Sequence, residues 1–157
     1  MTEEALDAFF ARLWELGPLM VLGAPHSKRL GMRFVSVDRN RASLALDYNP
    51  DLIGDPETRV MHGGAITTLL DQTAGLASLA GFQRPVSVAT LSLSIDYQRA
   101  SPAGETVIAV AHAYKVTPHI AFIRGVAHNG DEDDPVATCQ ASFIATGSIA
   151  NMAGLAR

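Results

Sequence analysis

Arg59-Val60-Met61-His62-Gly63-Gly64-Ala65-Ile66-Thr67-Thr68-Leu69-Leu70-Asp71-Gln72-Thr73-Ala74-Gly75 is the segment on which the fold turns. From His62 to Ala80 there is no proline, and Ile66, Leu69, Leu70, Thr73, Ala74 and Ala77 fall on one helical face. The expected helix is apolar over most of its circumference, so it needs cover on nearly every side. Two glycines at its mouth let another group approach the backbone, and the first-turn amides there have no intrahelical partner. The helix dipole adds roughly half a positive charge at the same end. A carbonyl oxygen turning negative during acyl transfer would be stabilised by the Gly64 amide, without a metal.

The flanks supply the cover. Upstream, Leu6, Phe9, Phe10, Leu13 and Trp14 predict a short amphipathic helix over residues 3–16, acting as a lid or brace. After a stretch punctuated by Gly17, Pro18, Gly23 and Pro25, Leu30–Val37 and Arg41–Tyr48 read as a hairpin turning at Asp38-Arg39-Asn40. Asn49–Val60 is a loop of a dozen residues, long enough to suspect a function. Downstream, period-two alternation marks strands at Val86–Tyr97, Glu105–Val116, Ile120–His128 and Val136–Ile149. The order is helix, two strands, long loop, central helix, four strands. An α+β fold satisfies it, with a curved antiparallel sheet wrapped round the central helix.

Composition bounds the function. The chain has 157 residues, 48% apolar and 18% charged, which predicts a single domain over residues 1–157. A formal charge of -4 and the lack of a Lys/Arg run argue against nucleic acid as a partner. Cys139 has no cysteine to pair with, and its setting reads as a buried strand residue. The acidic Met1–Asp7 stretch lacks the positive region of a secretory signal, and polar residues interrupt Ala137–Ala156 too often for a membrane span. A cytoplasmic protein without membrane contact is expected. His26, His112, His119 and His128 form no zinc spacing, so no metal is assigned.

Asp71 stands out as an acid in an otherwise apolar helix. The plain alternative is that it faces solvent or caps something nearby. It shares a stripe of small or polar residues with Gly64, Thr67 or Thr68, Gly75 and Ser78. Seven residues at the helical rise put it about 10 Å from the Gly64 amide, whereas an oxyanion donor and a general base must each lie within about 3 Å of reacting atoms. One chain does not easily supply both. Two copies with antiparallel central helices would place Asp71 of one beside Gly64 of the other, giving two equivalent shared sites.

At His62-Gly63-Gly64 and Asp71 the chain resembles the hotdog-fold acyl-CoA thioesterases, specifically the phenylacetic-acid-degradation (PaaI-like) group. The stretch Asp96-Tyr97-Gln98-Arg99-Ala100-Ser101-Pro102-Ala103-Gly104-Glu105 and the four-strand tail extend the likeness over about residues 30–149. The resemblance implies a hotdog fold and hydrolysis of a coenzyme A thioester without a cofactor. It also implies a homodimer with shared sites, or a homotetramer built as a dimer of dimers. It gives Gly64 the role of polarising the thioester carbonyl and Asp71 that of general base or nucleophile. Thr90 matches the position beside the hydrolytic water. The preceding loop of that family carries an Asn or Gln near the carbonyl; Asp55 holds that place here and, while ionised, accepts hydrogen bonds without donating them. His62 could serve as acid or base, or cap the glycine turn.

Coenzyme A phosphates would be held by Arg59, Arg99, Lys115 and Arg124, and the acyl tail by Leu70, Ala74, Ala77, Leu52 and Ile53. Two other functions fit the same fold. A hotdog hydratase or dehydratase would need an Asp-x4-His or His-Phe-Pro signature, and neither occurs. A non-catalytic acyl-CoA sensor would keep the groove and lose the acid.

Overall fold

An apolar helix needs walls, and here a six-stranded, wholly antiparallel sheet provides them. A computed structural model describes residues 2–148. Its elements are α1 (Glu3–Gly23), α2 (Pro25–Leu30), β1 (Met32–Asp38), β2 (Arg41–Leu46), a 3-10 turn (Pro50–Leu52), α3 (Gly63–Phe82), β3 (Val86–Tyr97), β4 (Val107–Val116), β5 (Ile120–His128) and β6 (Ala137–Ser148). The sheet order is β1-β2-β4-β5-β6-β3. β3 thus leaves the helix for the far edge and returns antiparallel against β6. This is the α+β hotdog arrangement expected from the sequence.

The strand faces turned to α3 are built from small residues. Ala109, Ala111 and Ala113 of β4 and Ala121 and Ala127 of β5 are buried there, beside Val107 and Ile123. Short side chains bring the helix close, and Leu69, Leu70 and Leu79 fill the space that remains. Each such leucine contributes roughly 1.5–3 kcal/mol by leaving water.

α1 runs seven residues beyond its expected end at Leu16, straight through Gly17 and Pro18 to Gly23. Proline costs the helix a hydrogen bond, but the buried series Phe9, Leu13, Gly17 and Val21 continues along one face and offsets it. Gly17 lies so close to the Phe34 ring that a β-carbon would stand 2.3 Å from it. The expected start of the first strand at Leu30 is also corrected: Pro25–Leu30 forms α2, which Gly31 stops in the left-handed conformation, φ 75°. β2 ends at Leu46 rather than Tyr48, and β4 begins at Val107 rather than Glu105. Ile149, the expected end of the last strand, lies outside the described residues. No described helix is long and apolar enough to cross a membrane.

Gly81 sits in a tight contact of α3 with the sheet. A β-carbon there would meet Ala113 Cβ at 2.8 Å and Val116 Cγ2 at 3.0 Å. Alanine should gain about 1 kcal/mol in helix propensity, yet overpacking costs about 1–3 kcal/mol and the Ala113 methyl cannot rotate away. Gly81→Ala is therefore expected to lower the urea midpoint; a raised midpoint would show that the helix has room to shift.

Candidate active site

His62 is the N-cap of α3, and its Nδ1 accepts the Gly64 amide hydrogen at 2.9 Å. The capping role considered for this histidine is therefore the one observed. It also corrects the picture of a free Gly64 amide, because that donor already has a partner. The long loop holds the histidine in place: the His62 amide donates to the Leu52 carbonyl, and the Gly54 amide to the Val60 carbonyl, both at 2.8 Å. Gly54 passes so near that a β-carbon would lie 3.0 Å from His62 Cα. Between this loop, His26 and the first turn of α3 lies a cavity of about 290 Å³ lined by Leu52, Ile53, His62, Gly64 and Thr68.

Asp55 does not reach the helix mouth as a donor. Its carboxylate accepts from the Glu57 amide at 3.0 Å, the Thr58 amide at 3.4 Å and the Thr58 hydroxyl at 2.5 Å. The Thr58 hydroxyl and then the Glu57 amide hold it below the ordinary carboxylate range, so it stays ionised within its own turn. Gly63 adjoins Tyr97, whose hydroxyl donates to the Gly63 carbonyl at 2.6 Å and lies 2.6 Å from Thr67 Oγ1. Sequence reading gave Tyr97 no role at the mouth. Its partner is more than thirty residues away in the chain, and nothing local signals that contact.

Two turns along the same stripe, Asp71 is half-buried, and the Thr90 hydroxyl donates to its Oδ1 at 2.9 Å. The contact between these two residues is thus made within one chain. Both line a cavity of about 450 Å³ walled by Met20 and Val21 of α1, Gly75, Leu76 and Leu79 of α3, Val86 and Val88 of β3, and Phe143 of β6. Leu70 and Ala74, expected to bind substrate, are 0% exposed and belong to the core beneath the sheet. They lie one step round the helix from Asp71, on the packed face. Ala77 shares their burial. Burial pushes the Cys139 thiol up to about 11, with a backbone hydrogen bond from Gly125 opposing and the Asp71 charge adding to the rise.

The basic residues disperse. Arg59 is exposed in the loop before the helix, with φ 58°, and its carbonyl accepts from the Tyr48 hydroxyl at 3.2 Å. Arg99 is occupied by the Asp134 carbonyl at 2.8 Å, the Ala100 carbonyl and Asn129 Oδ1 at 3.2 Å, and the Asp134 carboxylate at 3.1 Å, so it ties down the β5–β6 connection. Arg124 alternates with the buried Ile123 and Gly125 and so faces away from α3, its guanidinium 4.5 Å from the Tyr114 ring centroid. Lys115 is exposed near the end of β4. Of these four, Arg59 is the one that precedes the helix mouth in the chain, three residues before His62.

Residues 59–136 match the profile of the thioesterase superfamily. A protein from Pseudomonas aeruginosa, known from its crystal structure, is 34% identical, with 85% of this chain and 99% of that one superposed at a TM-score of 0.77. The chain belongs to the thioesterase superfamily. The medium/long-chain acyl-CoA thioesterase YigI of Escherichia coli K12 is 26% identical over 142 residues, which are 82% of this chain and 90% of that protein. The Escherichia coli PaaI protein from the phenylacetic acid degradation operon shares the fold at a TM-score of 0.78 with 18% identity, covering 89% of this chain and 97% of that one.

In this thioester hydrolase the Thr90 hydroxyl meets only one oxygen of Asp71, so Thr90→Val should leave the fold intact. A hydrogen bond to a charged group is worth about 1.5–3 kcal/mol, and thioester turnover is expected to fall at least about tenfold. Unchanged turnover in the folded variant would show that the hydroxyl does not orient the acid.

Proposed function

We propose that this thioester hydrolase cleaves acyl-coenzyme A to a carboxylic acid and free thiol, working as a homodimer whose two sites are shared between subunits. The observation that carries the reading is Asp71, held by Thr90 at the polar side of a largely apolar cavity. Its size falls in the range of small-molecule sites. The wall made by Met20, Leu76, Leu79, Val88 and Phe143 suits a flexible hydrocarbon tail better than a polar one. Medium or long acyl chains are the substrates proposed, in line with the similarity to the medium/long-chain acyl-CoA thioesterase YigI. Arg59, exposed beside the helix mouth, is the proposed phosphate anchor in this chain.

Two features support the shared site. Each chain opens one cavity at the Gly64 end of α3 and another beside Asp71, two helical turns away. Antiparallel pairing of two such helices would join unlike ends. β3 is an edge strand, paired only with β6 among the described residues, and its Leu91 is 53% exposed. An unpaired edge of twelve residues is a ready template for a second copy. A dimer of dimers would follow from a further contact.

In the proposed reaction the thioester carbonyl oxygen takes the place of His62 Nδ1 on the Gly64 amide, so the histidine must swing aside. Asp71 of the other subunit removes a proton from water, which adds to the carbonyl carbon, and the oxyanion is stabilised at the helix mouth. Collapse of this intermediate breaks the carbon–sulfur bond. The thiolate leaves with the proton held by Asp71. If Asp71 attacks the carbon itself, an anhydride forms first and water then opens it. Neither route uses a metal or redox cofactor. Cytoplasmic residence, and the absence of nucleic-acid or membrane partners, complete the proposal.

Purified protein and a panel of short, medium, long and aromatic acyl-CoAs, read with a thiol reagent, test this directly. The raised, buried Cys139 thiol should add little background. Release of coenzyme A is expected, fastest for medium or long chains, with Asp71→Asn slower by at least about 100-fold. No release from any acyl group, or near-normal turnover by Asp71→Asn, would overturn the proposal.

A further inference from the structure

The two glycines that open the helix mouth leave a problem behind. The Gly63 carbonyl and the Gly64 N–H belong to one planar peptide unit. With glycine on both sides, that unit can rotate about its flanking bonds more freely than any other in the helix. An oxyanion donor is effective only when aimed in advance, since reorganisation during the reaction costs rate. Something must therefore fix the plane without blocking the N–H.

Tyr97 is placed to do so. Its hydroxyl donates to the Gly63 oxygen at 2.6 Å, on the face of the peptide opposite the donor. The hydroxyl is itself held by Thr67 Oγ1, also at 2.6 Å, one turn along α3. A β-carbon on Gly63 would lie 3.3 Å from the tyrosine Cζ and hydroxyl oxygen, so the ring rests against the glycine as well. With His62 Nδ1 on the N–H at 2.9 Å, both poles of this one peptide are engaged by side chains. The two contacts are not equivalent. The histidine occupies the position that a substrate oxygen needs, whereas the tyrosine contact can persist when substrate is bound.

We propose that Tyr97 is the positioning residue of the oxyanion donor, holding the Gly63–Gly64 peptide in plane through its carbonyl and making the Gly64 N–H a stronger donor. Thr67 sets the tyrosine hydroxyl for that task. Polarisation carries through the peptide, because a hydrogen bond at the oxygen draws charge from the nitrogen and strengthens the bond made by its hydrogen. The proposal rests on the assignment of Gly64 as the carbonyl-polarising group, and it adds the residue that aims it.

Tyr97→Phe keeps the ring on Gly63 and removes only the hydroxyl. With the best substrate of the acyl-CoA panel, kcat is expected to fall about fivefold or more, the scale of one lost hydrogen bond, while KM changes less than about twofold, since the interaction matters as charge develops. Thr67→Val, which leaves the tyrosine hydroxyl in place, should give a smaller loss of the same kind, and it serves as the test if Tyr97→Phe fails to fold. Amide NMR of the substrate-free protein reads the peptide itself: the Gly64 proton is expected to move upfield in Tyr97→Phe. An unmoved Gly64 resonance, or an unchanged kcat in an enzyme that Asp71→Asn inactivates, would overturn the assignment to Tyr97. An inactive wild type would instead remove the thioesterase reading, and the Gly64 resonance would still decide whether Tyr97 holds the peptide.

Discussion

Burial of α3 on all sides but one leaves a single narrow stripe open, and that stripe carries Gly64, Thr67, Thr68, Asp71, Gln72 and Gly75. The constraint comes from the helix being too apolar to stand alone. Ala109, Ala111 and Ala113 let it settle onto the sheet, and Leu69, Leu70 and Leu79 lock its rotation. A turn of α3 about its own axis would expose leucines and bury Asp71 among alanines, and an unpaired buried charge is severely penalised. Packing of the core therefore decides which residues face the site.

β3 supplies the second layer of control. It leaves the C-terminal end of α3 and runs back along the helix, so Thr90 meets Asp71 and Tyr97 meets Gly63. One strand thus holds both ends of the reactive stripe. The same strand is the bare edge of the sheet. Pairing of two copies along β3 would bring the strands that orient these groups to the place where the two half-sites must join. Under the proposed shared site, site and interface would then form in a single event.

Much of this was legible from residues 59–75, because a glycine-opened apolar helix with a lone acid has few ways to fold and few uses for that acid. β3 and β5 were readable to the residue, since clear turn residues bound both of them. α1 was not, because Pro18 reads locally as a stop, and only tertiary burial of Val21 carries the helix past it. α2 was hidden in a short Pro-led segment with no apolar period. At the site, Asp71 and Thr90 were each singled out, Thr90 through the family resemblance alone, but their hydrogen bond to one another was not foreseen. Tyr97 and the Phe143 side of the apolar cavity depend on which strand lies beside which, and a single sequence does not record that. Leu70 and Ala74 lie in the core for a geometric reason: an apolar position near the acid of a buried helix is as apt to face the sheet as a cavity.

A subunit-mixing experiment bears most directly on the shared site. Asp71→Asn removes the acid from one subunit, and Gly64→Pro, in the first helical turn where proline is tolerated, removes the amide from the other. In a purified heterodimer of the two, one site keeps both groups and the other has neither, so activity of about half the wild-type value is expected from two nearly inactive parents. A verified heterodimer no more active than its parents, or full activity in a monomer, would contradict a site divided between two copies.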